Sequence, residues 1–145
     1  MKPFIGSGLG NFLLILSLST FVQAARAQKV KEKDVPMAVM SAFKQRYPDA
    51  AKVTWEKEGH DFEANWGGRS GEDHSALFTP AGAFVEIVDA IPIPQLPPAV
   101  NTYVAAHYHH SRIREAGSVT DANGQKSFEI EIDHKDLVFD ENGHF

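Results

Sequence analysis

VPMAVMSAFKQRYPDAAKVTWEKEGH, residues 35–60, carries two hydrophobic periods in succession. Val35, Val39, Phe43 and Tyr47 fall at every fourth position and form one stripe of an amphipathic helix, flanked by Ala38, Met40 and Ala42. Asp34 stands where an N-cap carboxylate accepts a free first-turn amide, and Pro36 where a missing N–H costs nothing. Pro48 cannot continue the helix and disfavours helical backbone at Tyr47, so the helix is expected to end there. Past residues 49–51 the period drops from four to two. Val53 and Trp55 point one way, Thr54 and Glu56 the other. Glu58-Gly59-His60 reads as a turn in which Gly59 takes positive φ. Phe62, Ala64 and Trp66 then alternate with Asp61, Glu63 and Asn65 in a returning strand.

Beyond it, residues 67–71 (GGRSG) form a glycine-rich loop. It lacks the lysine followed by Ser or Thr, and the strand-to-helix setting, that a phosphate cradle needs. Strands are expected near 74–79 and 84–89, joined by the turn Pro80-Ala81-Gly82. In the second of these, Phe84 and Val88 compete with Val85 and Ile87 for the buried face. Residues 90–98, AIPIPQLPP, hold four prolines in nine positions, so a stiff, extended connector follows. Upstream, KVKEK at 29–33 has no periodicity and reads as a flexible lead-in.

A second copy of the pattern begins 61 residues after the first. Val35-Pro36 meets Leu96-Pro97, Ala38-Val39 meets Ala99-Val100, Phe43 meets Val104 and Tyr47 meets Tyr108. Residues 78–84 (FTPAGAF) meet 139–145 (FDENGHF), while in the middle Phe62-Glu63-Ala64 best matches Phe128-Glu129-Ile130. The second copy is expected as a helix over 98–108 and strands over 113–120, 126–133 and 137–140. The fold class is therefore α+β, two tandem repeats, each one helix packed on an antiparallel sheet. The second repeat is short of its last strand, which leaves an edge exposed. The domain reading is a leader at 1–27, a first repeat at 28–89, a proline-rich linker at 90–95 and a second repeat at 96–145.

The leader is a signal peptide by pattern: Lys2, the apolar run NFLLILSLSTFV at 11–22, and the small-x-small site Ala25-Arg26-Ala27. Val22-Gln23-Ala24 is a rival cleavage site, and the apolar run is short for a membrane span. This places the mature chain in the periplasm or outside the cell. No cysteine is present, which excludes disulfides, thiolate metal sites and a cysteine-linked lipid anchor. Losing Lys2 and Arg26 takes the net charge from −5 to −7, unsuited to nucleic acid or an anionic membrane surface.

The marks Val35-Pro36, Tyr47-Pro48, Trp55-Glu56-Lys57-Glu58-Gly59, Phe62-Glu63-Ala64 and Leu96-Pro97 together resemble the PepSY-like family of secreted bacterial proteins, grouped with the β-lactamase-inhibitor-protein-like fold. The resemblance covers residues 35–145. It implies tandem helix-plus-sheet units, export across the inner membrane, and a binding or inhibitory role through the sheet face. It supplies no catalytic residues to transfer. The chain departs from the pattern at His109, where the first copy has Pro48.

If the apolar strand faces pack beneath the helices, the opposite faces carry Thr54, Glu56, Glu63 and Asn65, and Glu129, Glu131 and Asp133. Such an acidic surface suits a basic protein or peptide partner, against the plainer reading of an ordinary solvated face. Glu56 and Glu63 are expected opposite one another, but an exposed sheet does not desolvate either for acid–base work, so no enzyme activity is expected. His107 and His110, three apart with His109 between, are weak metal candidates; a histidine-rich helix end favoured by the helix dipole is the plainer reading. No cofactor is expected. Trp55 and Trp66 read as core in preference to a stacking platform. The function expected is a secreted, non-enzymatic binding protein. The alternative is a small-ligand or metal-handling protein using the histidines or a cleft between repeats.

Overall fold

The computed structural model describes residues 28–145; the signal-peptide reading lies outside them. Helix α1 spans Met37–Arg46. Its stripe is the expected one, with Val39 and Phe43 buried. Tyr47 closes it, donating its N–H to the Phe43 carbonyl at 2.8 Å. The second helix, α2 (Pro98–His107), ends in the same way, Tyr108 N–H to Val104 O at 2.8 Å, although His109 stands in place of the proline. The N-cap expected at Asp34 is not there. Asp34 closes a separate single helical turn, Glu32–Asp34, and α1 begins after Pro36 without a side-chain cap.

Strand β1 (Gln28–Val30) replaces the flexible lead-in expected at 29–33, because Val30 finds a partner opposite Trp55. Then come β2 (Thr54–Glu58), β3 (Asp61–Trp66), β4 (His74–Phe78) and β5 (Phe84–Ala90), followed by β6 (Ile113–Asp121), β7 (Lys126–Ile132) and β8 (Lys135–Asp140). All eight lie in one antiparallel sheet in chain order. The separate sheets expected for two repeats are thus a single one. The join is β5 to β6, from Glu86 opposite Asp121 to Ala90 opposite Gly117. Edges are left at β1 and β8.

The two cores lie on one side of the sheet. Under α1, Val39 and Phe43 meet Trp55, Ala64, Trp66, Ala76 and Phe78. Phe43 is the hub, its ring centroid 5.2 Å from those of both Trp55 and Trp66. Under α2, Val100 and Val104 meet Ala116, Ile130, Ile132, Leu137 and Phe139. Register carries one face across the join: Ala64, Ala76, Ile87 and Thr120 lie in one cross-strand row, and Ala116 opposite Ile130 shares their side. A two-layer α+β structure results, with both helices on one face and the other face bare.

The competition within β5 is resolved by an irregularity. Pairing shifts between Leu77 and Phe78, so Leu77 meets Glu86 while Phe78 meets Phe84. Phe84 and Ile87, three apart, therefore both pack on the first core. The proline-rich linker is likewise more than a spacer. It makes a single helical turn at Ile93–Gln95, hydrogen-bonds Ile91 N–H to Ala116 O at 2.9 Å, and packs Ile91 and Ile93 on the second core.

Candidate functional site: an acidic trough on the bare face of the sheet

Period-two alternation assigns every second residue to the bare face, and on it the register sets acid against acid. Glu58 is opposite Asp61, Glu56 opposite Glu63, Glu86 opposite Asp121, and Glu131 opposite both Glu115 and Asp136. Like charges directly opposite on neighbouring strands are destabilising. Between these rows runs a less charged band, including Asn65 opposite Ser75 and Val88 opposite Val119.

The face is concave. A flat sheet would place β2 and β8, six strands apart, roughly 29 Å from one another at ~4.8 Å per step. Yet one cavity of about 690 Å³ is lined by Glu56 of β2, Glu63 of β3, Glu129 and Glu131 of β7 and Asp136 of β8. Ile91, Pro92 and Ile93 of the linker form part of its wall, and Glu72 and Asp73, just after the glycine-rich loop, add further acids. Arg114, at the irregularity between Ile113 and Glu115 in β6, is the one Lys or Arg lining it among the described residues; no histidine does.

The electrostatics follow from that shape. Burial pushes the Glu129 carboxyl up to about 7, and Asp136, Glu86, Glu58 and Glu63 push in the same direction. Burial also raises Glu63, with Glu58, Glu56 and Glu86 adding to it, while the Asn65 amide opposes the rise. Asn65, 5% exposed, donates from Nδ2 to Glu63 Oε2 at 3.3 Å and accepts from Ser75 Oγ. Glu58, Glu86 and Asp136 are raised as well, each by burial first. Glu58 on β2 is raised next by Asp136 on β8, so these two strands, six apart in the sheet, lie within electrostatic reach of each other.

Of the face residues expected from sequence, Glu56, Glu63, Asn65, Glu129 and Glu131 all line the trough. Thr54 shares the face, opposite Asn65, but lies outside the cavity. Asp133 is a correction: it sits not on a strand but in the two-residue β7–β8 turn, at φ 50° beside His134 at φ 60°, where it accepts from Ser111 Oγ. That turn needs two left-handed residues, and the alternation through Ile132 does not reveal it. His107 ends α2 with its ring 4.3 Å from that of Tyr103, and His109 and His110 fall in the turn beyond the helix. Among the described residues no three His, Cys, Asp or Glu side chains are grouped to hold a metal. Sequence reasoning missed Glu86, Glu115 and Asp136. Glu86 was hidden because the sequence leaves the buried face of its strand open, Asp136 because it precedes the strand expected at 137–140, and Glu115 because which strands lie side by side was not readable.

The family described as "Putative beta-lactamase-inhibitor-like, PepSY-like" matches residues 21–69 and again 68–145. A comparison with curated proteins gives no match. Among solved structures, a protein of Bacteroides eggerthii described as "putative periplasmic" is 23% identical. It covers 76% of this chain and 84% of its own, with TM-score 0.62. A DUF2874 family protein of Bacteroides uniformis is 22% identical, covering 75% and 84% with TM-score 0.61. A BLIP-like protein of Bacteroides fragilis is 24% identical, covering 73% and 79% with TM-score 0.53. At these identities the likeness is one of fold. Among the described residues no helix is long and apolar enough to cross a membrane.

Proposed function

The chain belongs to the PepSY-like, beta-lactamase-inhibitor-like family, and from that premise we propose that it is a periplasmic, non-enzymatic binding protein that captures a basic protein or peptide in its acidic trough. The observation that carries the reading is the trough itself. Carboxylates converge there from β2, β3, β7 and β8 with Arg114 as the one Lys or Arg among its described lining. A sheet that places acid opposite acid five times gives up stability that an apolar or mixed-charge face would keep. A cationic partner restores it by supplying the missing counter-charges, and the field of the concave face speeds encounter with such a partner. Glu63 and Glu129 occupy matched positions, each after a phenylalanine at the middle of its strand. This supports reading the trough as built from two copies of one helix-plus-sheet unit. Periplasmic residence is supported by the description of the Bacteroides eggerthii neighbour and by the leader pattern at 1–27.

The metal-handling alternative through His107 and His110 draws no such support, since the helix ends at His107 and neither ring lines the trough; a small ligand in a cleft between the repeats would occupy this same trough, whose carboxylate lining favours a cation. The test is affinity capture from an envelope fraction with the mature protein and a Glu63→Lys, Glu129→Lys, Glu131→Lys variant as baits. The expected outcome is a basic protein held by the native bait alone and released as salt rises from about 0.05 to 0.5 M, where screening shortens from over 10 Å to under 5 Å. Equal retention by both baits would sink the reading.

A further inference from the structure

We propose that capture in the trough is proton-linked: the empty trough holds a proton among its facing carboxylates near neutral pH, and a cationic partner expels it on docking. The inference rests on the docking reading above and deepens it. Its basis is geometric. Glu129 lies on β7 between Gly117 of β6 and Val138 of β8, neither of which offers a charge or a hydrogen-bonding side chain. Around it stand Glu131 on its own strand, Asp136 on β8 and Glu115 on β6, while Glu86 on β5 acts on it from farther along the sheet. From the far wall Glu63 of β3 and Glu58 of β2 act on it as well, and Glu56, Glu72 and Asp73 share the cavity. Arg114 is the single positive charge in that lining among the described residues.

Carboxylates that face each other in a partly desolvated site do not all ionise together; the cheapest relief is a retained proton. A lysine or arginine brought among them reverses the balance, because its charge favours every ionised form. Docking and proton release are then one linked equilibrium. The partner keeps its own charge throughout the range, since lysine ionises near pH 10.4 and arginine higher. No described histidine lines the trough; His134 of the β7–β8 turn stands 3.7 Å from Glu131 Oε1, a pair that a change at Glu129 leaves intact, so the Glu129 variant separates the two contributions.

Hexalysine is the probe, titrated calorimetrically into the mature protein at pH 6 and pH 8, each in two buffers of different ionisation heat. With Glu129 half-ionised at about 7, affinity should be about tenfold weaker at pH 6 than at pH 8. Nearly one proton should pass to the buffer at pH 6. Glu129→Gln, an isosteric change, should bind more weakly at pH 8 and lose most of both the pH dependence and the proton release. Binding by the native protein without proton release would overturn the linkage and leave the docking reading standing. Proton release undiminished in Glu129→Gln would overturn the assignment to this carboxylate. No binding at either pH would overturn the docking reading, and the linkage with it.

Discussion

At the residue scale, Glu129 ties the stability of the fold to pH. Its folded value of about 7 lies above the ordinary 4.5, so the folded protein holds the proton more tightly than the unfolded chain does. Stability contributed by the protonated group is therefore present in full below about pH 4.5 and lost as pH rises through about 7. The span corresponds to about 3 kcal/mol at 1.36 kcal/mol per pH unit. Glu63, Glu86, Glu58 and Asp136 are raised too and push the same way. Urea unfolding at pH 5 and pH 8 checks this. The native protein should be less stable at pH 8, and Glu129→Gln should be the more stable of the two at pH 8 with a much smaller difference between the two pH values. A native protein of equal stability at both pH values would show that the trough is more hydrated than its burial implies. Asp140 runs in the opposite direction. It accepts the N–H groups of His144 and Asn142 at 2.8 and 2.9 Å, is held below the ordinary carboxylate value, and stabilises the fold above that range.

At the scale of elements, the turns repeat a device. Thr79 Oγ1 accepts the N–H of Ala83, Asp121 Oδ1 that of Gln125, and Asp140 Oδ1 that of His144, each four residues on. Each turn carries a glycine at positive φ: 83° at Gly82, 81° at Gly124 and 83° at Gly143. Two of these touch a helix. A Cβ on Gly82 would lie 2.6 Å from the Ala38 carbonyl oxygen of α1, and one on Gly143 2.8 Å from Pro97 Cβ at the start of α2. A Cβ on Gly124 meets nothing within 4 Å. Gly124→Ala should thus cost only the left-handed strain, about 1 kcal/mol. Gly82→Ala should cost clearly more, because a backbone carbonyl cannot swing aside as a side chain does. Thermal melts of the two variants decide it, and equal losses would mean that the α1 contact yields freely. These elements were legible from residues alone: the four-residue stripe gave α1, the aromatic Tyr-Pro gave its end, and FTPAGAF against FDENGHF gave the matched turns. Other features were not. Val30 joins the sheet only because Trp55 is free on its edge, and the shift at Leu77–Phe78 depends on the strand opposite. Alternation tells which side a residue faces and is silent about its neighbour across the ladder, so Glu56, Glu63, Glu129 and Glu131 were readable as one face while its curvature was not.

At the scale of the whole molecule, two cores share one sheet, and the join decides whether they unfold as one. The halves meet through the β5–β6 ladder, through Ile91 hydrogen-bonded to Ala116, and through Gly117 packed so closely on Val88 that an added Cβ would lie 2.5 Å from its Cγ1. A half released alone would expose the edge of β5 or of β6 and strip the linker from the second core, so partial unfolding forfeits hydrogen bonds and packing in both halves. One cooperative transition is expected. Both tryptophans lie in the first core, which makes their fluorescence a reporter of that half alone. Ile130, fully buried in the second core, is far from both indoles in the contact order of the sheet. Ile130→Ala should cost about 2–5 kcal/mol, and the tryptophan-detected midpoint in urea should fall together with that seen by far-ultraviolet circular dichroism. A tryptophan midpoint left in place while the dichroism splits into two steps would show that the ladder is too weak to couple the halves. Coupling matters for the trough as well, since Glu63 comes from one half and Glu129 from the other. A concave face assembled from both halves keeps its shape only while β5 and β6 stay paired.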